Sequence, residues 1–557
     1  MLPNFLRLAF SFLPFQFTLL PLPLPPQVPL DLGLGGTRSP LDVPNKRIVI
    51  IGGGTAGIVT LKTLIADLPK NVTSNWEIVL LEQRDNIGGI WYPDPNLPTL
   101  LTFQKHHLTI PQFPFLVGTA LFPNHTFVFK YHESIISHWN LSSYIHLEHE
   151  VLSADWHGNN VSGHWQLTTH DHARNRSTRA RFDHLIVATG HNHYPYEPKL
   201  QGRPTWEASA PGRKVLHSMF YRDPEAYSGR NVLVVGGGAS GRDIAQQVVG
   251  FANSVRTLPF LLLDSPKIIH RPSSLQTYVS IKDQPFRPIS FPHIPGVERV
   301  PALLRFTPFA PVFKDGTSLP HIDTVIFATG YELRIPFLSS SVRDTPIITP
   351  LPDPEVCDTL TNNGRYLRPL FRHIFSLAPT HAPRALAFVG LPIYVANAIS
   401  DSAQALLIAH ALADDKLLPP HSALLADLRA QEAAVDDPAR VGHRILQPGG
   451  GTGYQNEVVR LLQDRGLGGR PNVPPLGTAF TEPWRVFAVQ EGTRLRRAWL
   501  KVESLGEGEV NKWLSSVKKG DEAEWDDFMV RLVEWDKEQG GGGGEDVDVV
   551  EEGWYAF

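Results

Sequence analysis

The feature that most constrains this sequence is a glycine-rich segment that occurs twice. RIVIIGGGTAGIVTL begins at Arg47, and NVLVVGGGASGRDIA begins at Asn231. In each copy a short β-branched run ends in glycines, and apolar residues at helical spacing follow. This order predicts a strand, a tight turn and a helix, which together open a dinucleotide-binding unit. Two copies predict two such units in one chain.

The first copy carries the residue pattern that binds a dinucleotide. Gly52, Gly54 and Gly57 have the spacing GxGxxG. The first glycine permits the turn, the second lets backbone approach a pyrophosphate, and the third lets the helix pack on the strand. The next predicted strand ends at Glu82, where a carboxylate can accept hydrogen bonds from an adenosine ribose. An unliganded tight turn is the alternative for the glycines alone.

The second copy differs in the charge that follows it. Gly236, Gly238 and Gly241 repeat the spacing, but no acid ends an obvious next strand. Cations suit the 2′-phosphate of NADPH better than the free ribose of NADH. We therefore predict NADPH, with Arg271 as the first candidate and Arg256 as the second, while solvated surface charge is the alternative for any single cation. The other cations of this region are Arg242, Lys267 and His270.

A second repeated motif predicts how the two units are arranged along the chain. Residues 184–190 (HLIVATG) and 321–330 (HIDTVIFATG) are buried-type strands that both end in Ala-Thr-Gly. We predict an α/β fold with two nested Rossmann-like dinucleotide-binding domains. The predicted division is a leader at 1–44, the first domain at 45–198 and 326–420, the inserted domain at 199–325, and a C-terminal extension with an acidic Gly-rich tail at 421–557.

Composition excludes two classes of function. The formal net charge of −4 comes without a basic stripe, so nucleic acid is not an expected partner. Cys357 is the only cysteine, which excludes a paired-cysteine redox centre. Any redox chemistry must therefore reside on a bound cofactor, and no metal site is predicted.

The leader is apolar, but prolines and Arg7 interrupt it, so it is too broken for a good transmembrane helix. It is either a signal peptide, which implies the secretory pathway or endoplasmic reticulum, or a disordered segment of a cytoplasmic protein. Membrane association is expected only through this leader, and the oligomeric state is not predicted.

An ordered set of motifs resembles the flavin-containing monooxygenases, especially their fungal branch. The set comprises EQRDNIGGIW from Glu82, the two Ala-Thr-Gly strands, FATGYE, PLFRHIF and AFVGLPI, over about residues 46–413. The resemblance implies FAD at the first glycine turn, with Gly89 and Trp91 against the flavin, and NADPH at the second. A turn followed by a core tryptophan is the alternative for Gly-Gly-Ile-Trp. Further implied cofactor contacts are Ser240, Thr329 and Gly330.

The sequence departs from that family at two motifs. Where the family has L-x-T-N, with its asparagine near the oxygen-reacting edge of the flavin, this chain has LLTF and Phe103 replaces the asparagine. Thr102 and Gln104 are the candidate substitutes. Of FxGxxxHxxxY only His217 and Tyr221 remain, and the tyrosine resembles the N- and S-oxidising group. We expect His217 to lie at the domain junction rather than to act as a base.

The resemblance implies an FAD- and NADPH-dependent monooxygenase similar to N,N-dimethylaniline monooxygenase. It would oxygenate a soft nucleophile, an amine or sulfide of a small molecule, with O2 through a C4a-hydroperoxyflavin. An NADPH oxidase of the same fold, which the missing asparagine favours, and a non-catalytic FAD-binding protein are the alternatives. The substrate is not predicted, although its pocket is expected at residues 94–114 and 392–404.

Residues 94–155 are predicted to be rich in loops.

Overall fold

Two mainly parallel β-sheets organise the molecule. The structure is a computed structural model that describes residues 44–92, 109–115, 117–252, 277–280, 296–339, 346–349, 359–447 and 449–541. Within these residues the first sheet has seven strands, and strand Lys46–Ile51 in its interior pairs in parallel with a neighbour on each side. In spatial order its strands are Leu370–Phe371, Phe375–Ser376, Leu386–Phe388, His184–Val187, Lys46–Ile51, Trp76–Leu81 and Ile145–His146.

The part of the second sheet that lies in the described residues has five strands, all paired in parallel. Along the chain these strands lie between strands of the first sheet, which confirms the predicted nested α/β fold. The boundary predicted at residue 325 falls inside a strand of this second sheet, Thr324–Phe327. In spatial order the strands are Val297–Val300, Thr277–Ser280, Val232–Val235, Thr324–Phe327 and Lys214–His217.

The two chain segments that connect the nested units pair with each other. Tyr194–Pro195 and Tyr331–Glu332 form an antiparallel ladder, and Tyr196 N–H donates to Gly330 O at 2.9 Å. A separate antiparallel sheet, His149–Gly158, Gly163–Asp171 and Arg176–Phe182, covers the first sheet. The remaining strands are Leu303–Phe306 with Pro311–Phe313, and Ile348–Thr349, Leu360–Asn362 and Leu367–Arg368.

The helices agree with the predictions from sequence where the apolar spacing is regular. They differ from the predictions in the segment that was expected to be rich in loops. The run SDSAQALLIAHALADD from Ser400, whose apolar spacing predicts a helix, lies mostly in helix Asn397–Ala413, and EWDDFMVRLVEWDK from Glu524, which also predicts a helix, lies mostly in helix Glu522–Asp536. The segment predicted to be loop-rich contains helix His125–His138, whose N-cap Asn124 accepts hydrogen bonds from two backbone N–H groups. The other α-helices are Thr55–Lys62, Lys70–Thr73, Arg203–Ala208, Ala239–Ala252, Pro336–Ser339, His421–Ala433, Pro438–Val441, Gly450–Leu462, Pro483–Gln490, Gly492–Ser504 and Glu507–Leu514.

The residues after position 420 contribute to two hydrophobic cores. Tyr454 and Val458 of helix Gly450–Leu462 are buried in the core beside the first sheet. The later helices form a tryptophan-rich core of their own that packs against Leu121 and Phe122. Burial of this much apolar surface makes the C-terminal region an integral part of the fold.

No helix within the described ranges is long and apolar enough to cross a membrane. The leader prediction concerns residues 1–44, of which all but residue 44 lie outside the described part of the chain.

Buried histidines make the folded state sensitive to acid. In the histidines named at the end of this paragraph, burial lowers the pKa to about 4. The unfolded chain therefore binds more protons than the folded chain between pH 6.5 and pH 4. Their stabilising contribution is complete above pH 6.5 and is lost as pH falls, by roughly 2 kcal/mol per histidine at pH 5. They are His132, His146, His184 and His381.

We therefore expect the thermal unfolding midpoint to fall steeply between pH 7 and pH 5. His381→Gln should flatten this dependence, because the amide can hydrogen-bond at the Ser376 hydroxyl that His381 contacts at 2.9 Å and does not titrate. Scanning fluorimetry across this pH range measures both effects. Equal midpoints at pH 7 and pH 5 would contradict the expectation.

Candidate cofactor sites

The first glycine turn has a backbone that only glycine fits at two of its three motif positions. Gly52 has φ of +109°, and a Cβ there would lie 2.5 Å from Ala188 O. A Cβ on Gly57 would lie 1.8 Å from Gly52 O. Both contacts are far below van der Waals distance, so these glycines are required by the fold itself.

Gly54 differs from the other two glycines because a side chain would fit the protein around it. Its φ of −79° and ψ of −172° suit any residue, and a Cβ would lie 3.6 Å from Gly89 Cα. Gly54 is the N-cap of helix Thr55–Lys62, and among the described residues no side chain forms a capping hydrogen bond at this helix start. The uncapped N–H groups and the helix dipole form a site for an anion, which fits a dinucleotide pyrophosphate.

Glu82 lies directly against this turn. Its Oε2 accepts a hydrogen bond from Gly53 N–H at 2.7 Å, and its Oε1 accepts one from Arg84 N–H at 2.9 Å. The side chain is 7% exposed, so both contacts hold the carboxylate in place at the end of strand Trp76–Leu81. The predicted ribose contact stays a prediction.

The Gly-Gly-Ile-Trp segment packs on the same turn. Gly88 N–H donates to Gly53 O at 2.8 Å, and a Cβ on Gly89 would lie 3.0 Å from Gly54 Cα. Trp91 is 4% exposed and belongs to the hydrophobic core. The structure therefore brings Gly89 to the glycine turn, while contact of either residue with a flavin stays a prediction.

The second glycine turn repeats the geometry of the first. Gly236 has φ of +123°, and a Cβ there would lie 2.2 Å from Ala328 O. A Cβ on Gly241 would lie 1.9 Å from Gly236 O. In each unit the first motif glycine thus packs against the alanine carbonyl of the Ala-Thr-Gly segment. This contact explains why both repeats occur together in the sequence.

The solvent-facing side of the second turn contains the middle glycine of the motif. Gly238 and Ser240 are exposed, and a Cβ on Gly238 would meet nothing within 4 Å in the described part of the chain. Arg242 N–H donates to Gly238 O at 3.0 Å, which is the first turn of helix Ala239–Ala252. The turn therefore leaves the helix N-terminus accessible to an anion.

The strand beside the second turn is one that the sequence did not reveal. It is Thr277–Ser280, and Val235 pairs with Ser280 as Ile51 pairs with Leu81 in the first unit. In the sequence Leu81 is followed by Glu82, whereas Ser280 is followed by Ile281. The acid of the first unit has no counterpart at the matching position of the second. The candidates Arg256, Lys267, His270, Arg271, Thr102 and Gln104 lie outside the described residues.

Thr329 and Gly330 lie where the two connecting segments meet. The Thr329 hydroxyl donates to Tyr196 O, and Gly330 O accepts from His217 Nε2 at 3.0 Å. His217 Nδ1 accepts from Met219 N–H at 3.1 Å, so the proton is on Nε2. Burial lowers the pKa of His217, which keeps the ring neutral in this role. These hydrogen bonds connect His217 with Gly330, in a different segment of the chain, which is a structural role.

A buried polar cluster near the first turn was not found from the sequence. Gln404 is fully buried, its Oε1 accepts from Gly390 N–H at 2.9 Å, and its Nε2 donates to the Tyr454 hydroxyl at 2.7 Å. Burial raises the pKa of the neighbouring Asp401 to about 8. The carboxyl of Asp401 and the amide of Gln404 in a mostly apolar helix were the available sequence signal.

A small cavity adjoins the start of helix Asn397–Ala413. Its wall includes Ala396 and Ile399, which fall in the expected pocket region, and C-terminal residues that the sequence did not implicate. Gln455 links two parts of this wall. Its Nε2 donates to Ser400 Oγ at 2.8 Å, and its Oε1 accepts from the Thr481 hydroxyl. The C-terminal lining residues are Thr452, Gln455, Thr481, Arg485 and Val489.

Comparison with known proteins agrees with this architecture. Residues 45–258 and 294–349 match the sequence profile of the FMO-like family, described as flavin-binding monooxygenase-like. The chain is 26% identical over 412 residues to the flavin-containing monooxygenase FMO GS-OX-like 9 of Arabidopsis thaliana, covering 68% of this chain and 78% of that one. It is 25% identical over 361 residues to senecionine N-oxygenase of Tyria jacobaeae, covering 62% and 67%.

Among solved structures, S-allyl-L-cysteine S-oxygenase from Allium sativum superposes with a TM-score of 0.58. At 21% identity it covers 89% of this chain and 99% of its own, which supports the shared fold. The chain is therefore similar over residues 45–258 and 294–349 to the flavin-binding monooxygenase-like family, whose members use a flavin, O2 and a small-molecule substrate.

Proposed function

We propose that this protein is an NADPH-dependent FAD monooxygenase that oxygenates an amine or a sulfide of a small molecule. The observation that carries the proposal is the pair of glycine turns with matching geometry in nested units. A protein that only stored a flavin would need one such turn. Two turns suit an enzyme in which one dinucleotide reduces the other.

The first turn would hold FAD. The uncapped helix start after Gly54 would bind the pyrophosphate, and Glu82 would bind the adenosine ribose. Gly89, which touches Gly54, would line the same cofactor. Bound flavin would supply hydride acceptance and activation of O2, and the protein would supply position and exclusion of water.

The second turn would hold NADPH. Gly238 and Ser240 expose the start of helix Ala239–Ala252, where a pyrophosphate can bind. The missing acid beside Ser280 supports NADPH over NADH, because a carboxylate would repel the 2′-phosphate. Arg271 remains the first candidate for that phosphate.

The substrate class rests on two relatives with different named reactions. One is an N-oxygenase of senecionine and the other an S-oxygenase of S-allyl-L-cysteine. Amines and sulfides are both soft nucleophiles, so the same oxygenating chemistry serves either class. The cavity beside Ala396 and Ile399 is the candidate entry to the reaction site.

An NADPH oxidase is the second candidate function, because Phe103 stands where the family has an asparagine. A phenyl ring cannot donate a hydrogen bond to an oxygen intermediate. This difference would favour release of peroxide over transfer of oxygen.

Stoichiometry separates the two candidates. The purified protein with FAD is mixed with NADPH and a panel of tertiary amines and sulfides, and NADPH consumed, peroxide released and oxygenated product are measured together. We expect product to account for most of the NADPH with at least one substrate. Peroxide equal to NADPH across the panel would identify an oxidase, and absence of NADPH consumption would contradict both candidates.

A further inference from the structure

The start of the first cofactor helix carries a hydroxyl that a buried histidine contacts. Thr55 is the first residue of helix Thr55–Lys62, and its Oγ1 lies 3.1 Å from His132 Nε2. Thr55 is partly exposed, whereas His132 is 1% exposed. The pair therefore joins the turn surface to the protein interior.

The surroundings of His132 determine which way this hydrogen bond runs. Within the described residues His132 Nδ1 has no hydrogen-bond partner. Burial lowers the pKa of His132 to about 4, so the ring is neutral near pH 7 and carries one proton. A buried N–H without an acceptor is rarer and costlier than an unused lone pair, which places the proton on Nε2. His132 then donates to Thr55 Oγ1.

A threonine hydroxyl that accepts from a histidine keeps its own proton for another acceptor. Thr55 directly follows Gly54, at the uncapped helix start where a pyrophosphate is expected. We infer that Thr55 Oγ1–H, oriented by His132, donates a hydrogen bond to the FAD pyrophosphate. The inference rests on the proposed binding of FAD at the first turn.

The helix that carries His132 also supports the second element of the site. In helix His125–His138, Phe129 lies one turn before His132, and a Cβ on Gly88 would lie 2.9 Å from the Phe129 ring. One rigid helix thus contacts both Thr55 and the Gly88 turn. This arrangement fits His132 as a positioning residue for the pyrophosphate site.

The test measures FAD affinity of the full-length apoprotein by flavin fluorescence quenching, together with the unfolding midpoint without FAD. Thr55→Val should weaken FAD about tenfold to 100-fold, the range for a lost hydrogen bond to a charged group, and Thr55→Ser should retain affinity. His132→Leu should weaken binding and His132→Gln should largely restore it, because a glutamine Nε2 can donate to Thr55. The double variant Thr55→Val with His132→Leu should bind no more weakly than Thr55→Val alone.

The outcomes distinguish a failure of the inference alone from a failure of the proposed function. If Thr55→Val lowers the unfolding midpoint but binds FAD like the wild type, the contact is structural and the inference is wrong. If Thr55→Val and His132→Leu weaken FAD additively, His132 does not act through Thr55, which also overturns it. If wild-type apoprotein does not bind FAD at all, the proposed function fails and the inference with it.

Discussion

Gly54→Ala is expected to give a folded protein that purifies without FAD. The backbone at Gly54 suits alanine, and the new methyl group would make only an ordinary contact at 3.6 Å with Gly89 Cα. The methyl group would occupy the space through which a pyrophosphate approaches the helix start. Overpacking of this kind costs about 1 to 3 kcal/mol, so FAD affinity should fall roughly tenfold to 100-fold.

The measurement is the FAD content of purified protein and the dissociation constant of the apoprotein, with circular dichroism to check the fold. Gly57→Ala is the matched control, because its Cβ would lie 1.8 Å from Gly52 O and the turn cannot form. That variant should be insoluble or unfolded. A yellow Gly54→Ala protein with wild-type affinity would overturn the assignment of FAD to this turn.

Gly238→Ala is expected to separate reduction of the flavin from its binding. Gly238 is exposed and a Cβ would meet no described atom within 4 Å, so the fold and the FAD content should not change. The methyl group would lie at the backbone that an NADPH pyrophosphate approaches. The NADPH concentration for half-maximal anaerobic reduction should rise roughly tenfold to 100-fold.

Anaerobic stopped-flow absorbance measures this reduction, and dithionite provides the control because it reduces flavin without a nucleotide site. The dithionite reaction should match the wild type. Gly241→Ala is the structural counterpart, since its Cβ would lie 1.9 Å from Gly236 O and should disrupt the second unit. Wild-type dependence on NADPH in Gly238→Ala would place the nucleotide elsewhere.

The sequence was informative where chemistry depends on residues close together in the chain. A strand, three glycines at fixed spacing and a helix are a local pattern, so both turns could be predicted, as could the Ala-Thr-Gly strand beside each of them. The nested fold followed from the order of these patterns. Helix Asn397–Ala413 was equally local, because its apolar residues recur at helical spacing.

The tertiary structure alone decided the contacts made across long separations in sequence. Gly89 lies close to Gly54. Gln404 forms hydrogen bonds with Gly390 and Tyr454. Helix Gly450–Leu462 contributes buried residues to the core beside the first sheet. Strand Thr277–Ser280 was missed because four residues are too few to show a period, and its place depends on pairing with Val232–Val235.

The histidine beside Thr55 is the clearest case. His132 was indistinguishable in the sequence from other histidines, because nothing near it in the chain marks a role. Folding buries its ring, leaves Nδ1 without a partner among the described residues and places Nε2 3.1 Å from Thr55 Oγ1, at the start of helix Thr55–Lys62. Local patterns thus determined which backbone turns exist, and packing between distant segments determined which side chains surround them.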